Sequence, residues 1–356
     1  MNTPLSRRLT TAAVVAAAVL SLTACGQDRT STTGAAGSEC STETDLDGGA
    51  YPRTIDKGAV TDKAGANVGT VVDPATIDTR PVRVAALDQT FVDAALVLNT
   101  ELVAYTTYQA MGEKLPAFLG AAAQTCGGRA VNIGSLQTPD IEKLAGARPD
   151  LIVSAKVRHE KQYEQFKGIK LGSGTVPVVF SQTTGATWKE NLLLLAKAVD
   201  KENLAEAKLA AYQDRATKIG AAIKANNGGT APTVSLLRFM PKEDRLMQRV
   251  SFIGDIFADT GLNQPDKSED PKNDFSITLS PERLLDADAD YVFLTSNGED
   301  AAAQRKAAAE ANPLWNQLRG KITPVDDLVW LTSVGLTGAH AVLDDIAETF
   351  GVDPAK

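Results

Sequence analysis

TWKENLLLLAKAVDKENLAEAKLAAYQDRATKIGAAIKA, residues 187–225, is built of helix formers, with no Pro and no Gly before Gly220. The part from Glu202 onward predicts about 24 residues of helix, roughly 36 Å at about 1.5 Å per residue. That is long for a helix inside one lobe and the right length to bridge two. Asn226-Asn227-Gly228-Gly229 then stops it.

On both sides of this stretch the pattern is strand, helix, strand. Before it, β-formers at 82–87, 102–105, 130–133, 151–154 and 176–180 alternate with helical stretches at 90–98, around Glu142 and at 159–166. After it come strands at 233–239, 291–295 and 322–325, with helices at 251–260, around Glu282, at 301–311 and at 336–350. Such alternation argues for parallel sheets covered on both faces. The expected fold is α/β, two Rossmann-like lobes joined by a single long α-helix. The lobes are expected at 51–200 and 227–356, with the connecting helix at 201–226. Residues 51 to about 81 carry β-rich pieces around turns and read as an irregular hairpin leading into the first strand.

Each half contains a matching unit, PDIEKLAGARPDLIV at 139–153 and LSPERLLDADADYVF at 279–293. At a spacing of 140, Glu142 falls on Glu282, Leu144 on Leu284, Ala147 on Ala287 and Asp150 on Asp290. A hydroxyl residue followed by Pro precedes each helix, as suits a helix start. The unit is helix, Asp, strand, with a Glu in the first turn where the helix dipole favours it.

The N-terminus, MNTPLSRRLTTAAVVAAAVLSLTACGQ, has Arg7 and Arg8 ahead of an apolar stretch too short to span a bilayer. It reads as a secretory signal over residues 1–24. Leu22-Thr23-Ala24-Cys25 resembles the lipobox of bacterial lipoproteins, which implies cleavage before Cys25 and its acylation. The expected location is therefore the extracytoplasmic face of the cell membrane. Several acyl chains anchor stably, each buried methylene contributing roughly 0.8 kcal/mol. Residues 25–50 are Ser/Thr/Gly-rich and read as a linker. Cys40 and Cys126 remain as an even pair in an oxidising compartment, a candidate disulfide.

The full chain carries a net charge of −8, and without residues 1–24 it holds 34 basic and 44 acidic residues, or −10. Nucleic-acid binding needs a basic footprint and is not expected. Catalytic motifs are absent from the sequence: there is no G-x-S-x-G, P-loop, H-E-x-x-H or G-x-G-x-x-G after a strand. Asp326-Asp327 and Asp344-Asp345 read as turn and helix-surface charges. The two histidines, His159 and His340, lie far apart in different halves and offer no metal-ligand spacing. Neither an enzyme nor a protein-ligated metal or cofactor is expected.

Several stretches together resemble the substrate-binding lipoproteins of iron-siderophore ABC importers, a group sharing its fold class with cobalamin- and haem-binding components. They are KVRHEKQYEQF at 156–166, TTGATWKENLLLLAKAV at 183–199, SLLRFMPKEDRLMQRVSFIGDIFADTGLNQP at 235–265 and the two repeated units. The resemblance spans roughly residues 51–353 and implies the two-lobed class III fold. It also implies a monomer, a ferric siderophore as ligand, and ABC permease subunits with their ATPase as partners. The arginines and few acids are read as fitting a hydroxamate or mixed-type chelate first, with a catecholate left open. By the same resemblance Glu142 and Glu282 would dock basic pockets on the permease. Haem or cobalamin as ligand, or an envelope interaction lipoprotein that has lost transport, are the competing readings.

Ligands of open parallel sheets bind beyond the carboxyl ends of the strands. The ends predicted above supply Tyr105, Lys156, Arg158 and Trp188 in the first lobe. In the second they supply Arg238, Arg245, Arg249, Ser296, Asn297 and Trp330. Guanidinium forks match paired chelate oxygens, and aromatic faces would cover the apolar linkers of the chelate. Arg238 stands in the apolar run VSLLRFM, where a charge must be paired or face a site. The stretch MGEKLPAFLGAAAQTCGGRA at 111–130 reads as an insertion that reshapes the cleft mouth.

Overall fold

The computed structural model describes residues 40–56, 60–61, 67–69, 71–108, 112–272 and 274–356. Residues 1–24, read as a signal, and Cys25 lie outside the described residues. Four short strands come first, β1 (Arg53–Ile55), β2 (Val60–Thr61), β3 (Asn67–Gly69) and β4 (Ala75–Ile77), with β1 antiparallel to β4 and β2 to β3.

The first lobe then runs β5 (Arg83–Ala86), α1 (Gln89–Val97), β6 (Glu101–Thr107), α2 (Gly120–Thr125), β7 (Val131–Ser135), β8 (Thr138–Pro139) and α3 (Ile141–Gly146). It continues with β9 (Leu151–Ala155), α4 (Lys156–His159), α5 (Tyr163–Lys167), the hairpin β10 (Lys170–Leu171) and β11 (Gly174–Thr175), and β12 (Val178–Ser181). The sheet order is β12-β9-β5-β6-β7-β8, parallel except for the edge strand β8. The chain leaves β5 first toward β6 and later toward β9, so the order of strands reverses between β5 and β9.

Helix α6 (Trp188–Val199) leads into α7 (Glu202–Asn226), the long helix read from the sequence. The second lobe holds β13 (Val234–Phe239), β14 (Asp244–Met247), α8 (Phe252–Asp259), β15 (Ser276–Thr278), a 3₁₀ segment at Pro281–Ala287, β16 (Tyr291–Ser296), α9 (Asp300–Glu310) and β17 (Lys321–Pro324). A π-helical turn at Leu328–Thr332 precedes α10 (Leu336–Phe350). The sheet order is β15-β14-β13-β16-β17, with β14 antiparallel to both neighbours. Here the reversal falls between β13 and β16.

β13 shows how sequence sets the layers. Val234 and Leu236 join one apolar cluster, while Leu237 and Phe239 join another on the opposite face. A strand covered by helices on both sides needs that double-sided burial. The larger cluster is continuous between lobes, taking in Phe91 and Val153 from the first, Tyr212 of α7, and Leu236 and Phe293 from the second. Among the described residues no helix is long and apolar enough to cross a membrane.

The repeated units fold alike. Asp150 accepts from the Val82 and Arg83 amides at 3.0 and 2.8 Å. Asp290 accepts from the Thr233 amide and hydroxyl at 2.7 and 2.8 Å. Each Asp therefore stitches the start of its own strand to the start of the central strand of its sheet, which is why both copies keep it. The helix differs: the first copy is α-helical and the second a 3₁₀ segment.

Three expectations are corrected. Residues 47–49, assigned to a loose linker, are bound to the corner between α6 and α7. The Asp47 amide donates to the Asp200 carbonyl, and the Gly48 and Gly49 amides donate to the Asp200 carboxylate at 3.1 and 2.9 Å. The stretch at 112–130, read as an insertion at the cleft mouth, is largely built into the main core. It folds into a 3₁₀ turn and α2, buries Leu119, Ala123 and Cys126 in the main core, and packs near α1 and α10, because its apolar residues recur at helical spacing. Helix α10, assigned to the second lobe, also packs against α1 of the first. Asp93 of α1 accepts from the Thr337 amide at 3.2 Å and so caps α10 from the other lobe. A disulfide joins Cys40 to Cys126, with the Cα atoms 4.6 Å apart.

Candidate ligand-binding site

At the reversal point of the first sheet, Asp88 follows β5 and Arg158 follows β9. Arg158 Nε donates to Asp88 Oδ2 at 2.8 Å, and its Nη2 donates to Tyr108 and Thr184 at 3.2 Å each. Asp88 is fully buried and its other oxygen accepts from the Thr90 amide, capping α1. The Tyr108 hydroxyl donates to Asp88 at 3.0 Å, and its ring lies 5.7 Å from the guanidinium carbon. Burial, reinforced by the Asp88 carboxylate, pushes the Tyr108 phenol far above its ordinary pKa, so it stays a donor. Lys156 stands at the same edge and pairs with Glu160 at 3.2 Å.

The second sheet repeats the arrangement. Arg238, near the end of β13, forms a fork with Asp327 at 2.7 and 2.6 Å, and Thr295 donates to the same carboxylate at 3.3 Å. Arg245 stands opposite Arg238 in the sheet and donates to Glu243 at 2.6 Å. Thr278, opposite Arg245, also donates to Glu243 at 2.8 Å. These hydrogen bonds, Thr278 first and Arg245 next, hold the Glu243 carboxyl below its usual range. Ser296 and Asn297 close the edge, with the Asn297 amide on the Phe239 carbonyl at 3.1 Å. Ser296 Oγ is buried and has no partner among the described residues. For all three arginines the Nε and Nη2 side is held, and Nη1 makes no hydrogen bond among the described residues.

The aromatic expectations are corrected. Trp188 is 1% exposed, sits edge-on to Tyr212 and Phe252, and donates its indole N–H to Asp255 at 2.7 Å. Trp330 is fully buried against Phe293 and donates to Asp345 at 2.7 Å. Tyr105 is 5% exposed and donates to the Glu113 carbonyl at 2.9 Å. Each is a core residue whose polar tip has a partner, which is how buried Trp and Tyr are satisfied. Arg249 is not grouped with the other arginines. β14 carries the chain back from the Arg238 edge, and Arg249 donates instead to the Gln264 carbonyl at 3.0 and 2.8 Å. Asp327, read as a turn charge, is the buried partner of Arg238.

The histidines are structural. His159 is buried, its Nε2 donating to the Leu136 carbonyl at 2.6 Å and its Nδ1 accepting from Ser154 at 2.7 Å. Burial lowers its pKa. His340 Nδ1 lies 3.1 Å from Arg215. Two exposed apolar side chains stand beside these groups, Val157 between Lys156 and Arg158, and Phe275, whose ring lies 5.7 Å from the Arg245 guanidinium. Phe275, 30 residues from Arg245 in the chain, was missed and carries no local signal. A cavity of about 120 Å³ lies on the opposite face of the second sheet, lined by Leu237, Phe239, Leu279 and Leu284. It is smaller than an engineered benzene-binding cavity of about 150 Å³, far too small for a siderophore.

Glu142 and Glu282 are both exposed. Each is the second residue of its helical segment, and Glu282 lies four residues past Thr278, the last residue of β15. Two α/β sheets spanned by one long helix, each with an arginine at its strand reversal, define a two-lobed binding protein of the class III type. The periplasmic binding protein family model matches residues 84–320, and the chain belongs to that family.

Over 231 residues it is 33% identical to "Probable siderophore-binding lipoprotein YfiY" of Bacillus subtilis (strain 168), covering 62% of this chain and 68% of that one. It is 27% identical over 228 residues to the achromobactin-binding periplasmic protein of Dickeya dadantii (strain 3937), covering 62% and 72%. The crystal structure of Staphylococcus aureus SirA complexed with staphyloferrin B superposes with a TM-score of 0.69 at 22% identity, covering 80% of this chain and 99% of that chain. That last likeness bears on the fold.

Proposed function

We propose that this chain is the substrate-binding component of an ABC importer and captures a ferric siderophore of hydroxamate or mixed type between its lobes. The observation that carries the reading is the matched pair of arginines, Arg158 and Arg238, each held at the strand reversal of its sheet by a buried carboxylate. Relatives named for siderophore binding support the ligand class. Iron arrives already chelated, so the protein needs no metal ligands of its own. Guanidinium Nη1 groups donate to chelate oxygens, and Tyr108, Val157 and Phe275 cover its apolar parts. Lys156, Ser296 and Asn297 line the edges.

In this reading the lobes are residues 51–200 and 227–356 with α10 packed against both, the anchor is a lipid on Cys25, and the protein works as a monomer at the extracytoplasmic face of the cell membrane. Glu142 and Glu282 meet the two permease subunits. Titration with ferric siderophores, haem and cobalamin, followed by calorimetry, tests the ligand. Saturable binding of a ferric siderophore is expected, and binding of haem or cobalamin alone would remove the reading. The double variant Glu142→Ala/Glu282→Ala should bind ligand as before yet lose uptake. Normal uptake would reject the docking roles.

A further inference from the structure

Resting on the siderophore reading, we infer that Asp88, Asp327 and Glu243 are specificity determinants that restrict the ligand to ferric chelates of low net charge. The accepted chelates are neutral or singly negative, and polyanionic tris-catecholates are turned away.

The argument is one of charge balance. An Arg-rich cleft suggests a polyanion only while the arginines are uncompensated. Here each carries its own acid: Arg158 with Asp88, Arg238 with Asp327, Arg245 with Glu243. Lys156 is likewise paired with Glu160, and Arg305 with Asp244. The acids cannot readily move aside. Asp88 caps α1 through the Thr90 amide and accepts from Tyr108. Both Asp327 oxygens are engaged by Arg238, and Thr295 adds a third bond. Glu243 is fixed by Thr278 as well as Arg245.

A ligand oxygen on a free Nη1 therefore lies within one guanidinium's width of a fixed carboxylate. It receives a directional hydrogen bond but little net charge attraction. Lys242, exposed at the β13–β14 turn, makes no ion pair with a described residue and adds one positive charge. Glu299 and Asp300, just past β16, weigh on the other side. The chain as a whole is at −8, which further disfavours the approach of an anion.

Around ferric iron, three hydroxamates leave no net charge, and two hydroxamates with an α-hydroxycarboxylate leave one negative charge. Three catecholates leave three negative charges. Like-charge juxtaposition is the usual means of excluding a competitor.

The test is calorimetric titration of wild type, Asp327→Asn and Glu243→Gln with three ferric complexes: a linear tris-hydroxamate, a dihydroxamate–citrate and a tris-catecholate. Wild type is expected to prefer the first two by about a hundredfold or more, and each variant to shift the affinity ratio toward the tris-catecholate by about tenfold. Glu243 is partly exposed, so its variant keeps the test sound if Asp327→Asn folds poorly. Tightest binding of the tris-catecholate by wild type, or unchanged ratios in Glu243→Gln, would overturn the inference while leaving siderophore capture intact. Failure to bind any of the three would take the function reading down with it.

Discussion

Single side chains at the site act in pairs, and the pair is the unit to perturb. Arg238→Ala would leave Asp327, 9% exposed, as a buried charge without its fork. Losing one partner of a buried ion pair costs about 3–5 kcal/mol, so stability as well as binding should fall, and urea melts of Arg238→Ala beside Asp327→Ala would separate the two effects. Asp93 offers a cleaner pH experiment. It is buried and burial lifts its carboxyl to about 6, against about 3.9 in an unfolded chain. A raised carboxyl pKa contributes stability that is fully present below about pH 4 and lost as pH rises through about 6. Asp93→Asn keeps an acceptor for the Thr337 amide and cannot ionise. Its stability relative to wild type should therefore grow by about 2–3 kcal/mol between pH 4 and 7. Parallel pH profiles would contradict this. Tryptophans were the least legible residues. Trp188 and Trp330 follow predicted strands, yet their partners Asp255 and Asp345 come from helices whose approach no local pattern encodes. Arg238 was legible because a charge in an apolar run is costly wherever the strand goes.

Elements were read more surely than side-chain directions, because their periodicity is local. Helix α7 was visible from composition alone, and the strands of both sheets from apolar runs between turn signals. What local pattern could not supply was the partner across the molecule, as with α10 capped by Asp93. Gly220 shows a hidden contact of this kind: a Cβ there would lie 1.8 Å from the Thr260 carbonyl oxygen at the end of α8. Gly220→Ala must push α7 and α8 apart. Overpacking of this sort costs about 1–3 kcal/mol, even though Ala is the better helix former by about 1 kcal/mol. A thermal melt that rises would show that α8 can shift freely. Asp150→Ala and Asp290→Ala should each lose about 1–3 kcal/mol by freeing two strand-start donors, with comparable losses in the two lobes if the repeated unit does one job in both.

At the scale of the whole molecule, the disulfide closes a loop between residues 86 apart. A cross-link of that span restricts the unfolded chain enough to contribute up to about 4.5 kcal/mol. The Cys40→Ser/Cys126→Ser pair should unfold at correspondingly lower denaturant with ligand affinity little changed, since both positions are remote from Arg158 and Arg238 in the fold. Lobe movement should also be small. Besides α7, the halves are joined by Trp188 and Lys189 on Asp255 and by Asp93 at the start of α10. Scattering profiles with and without ligand should nearly superimpose.

The unbroken apolar cluster running from Phe91 through Tyr212 to Phe293 has a bearing on how such a molecule can be re-engineered. Exchanging an entire half with a homologue would cut through packed interior and mismatch dozens of atoms at once. Grafts confined to the turns that follow β5, β9, β13 and β16 would leave the interior untouched. New ligand preferences are therefore most accessible by editing those short turns, one edge at a time.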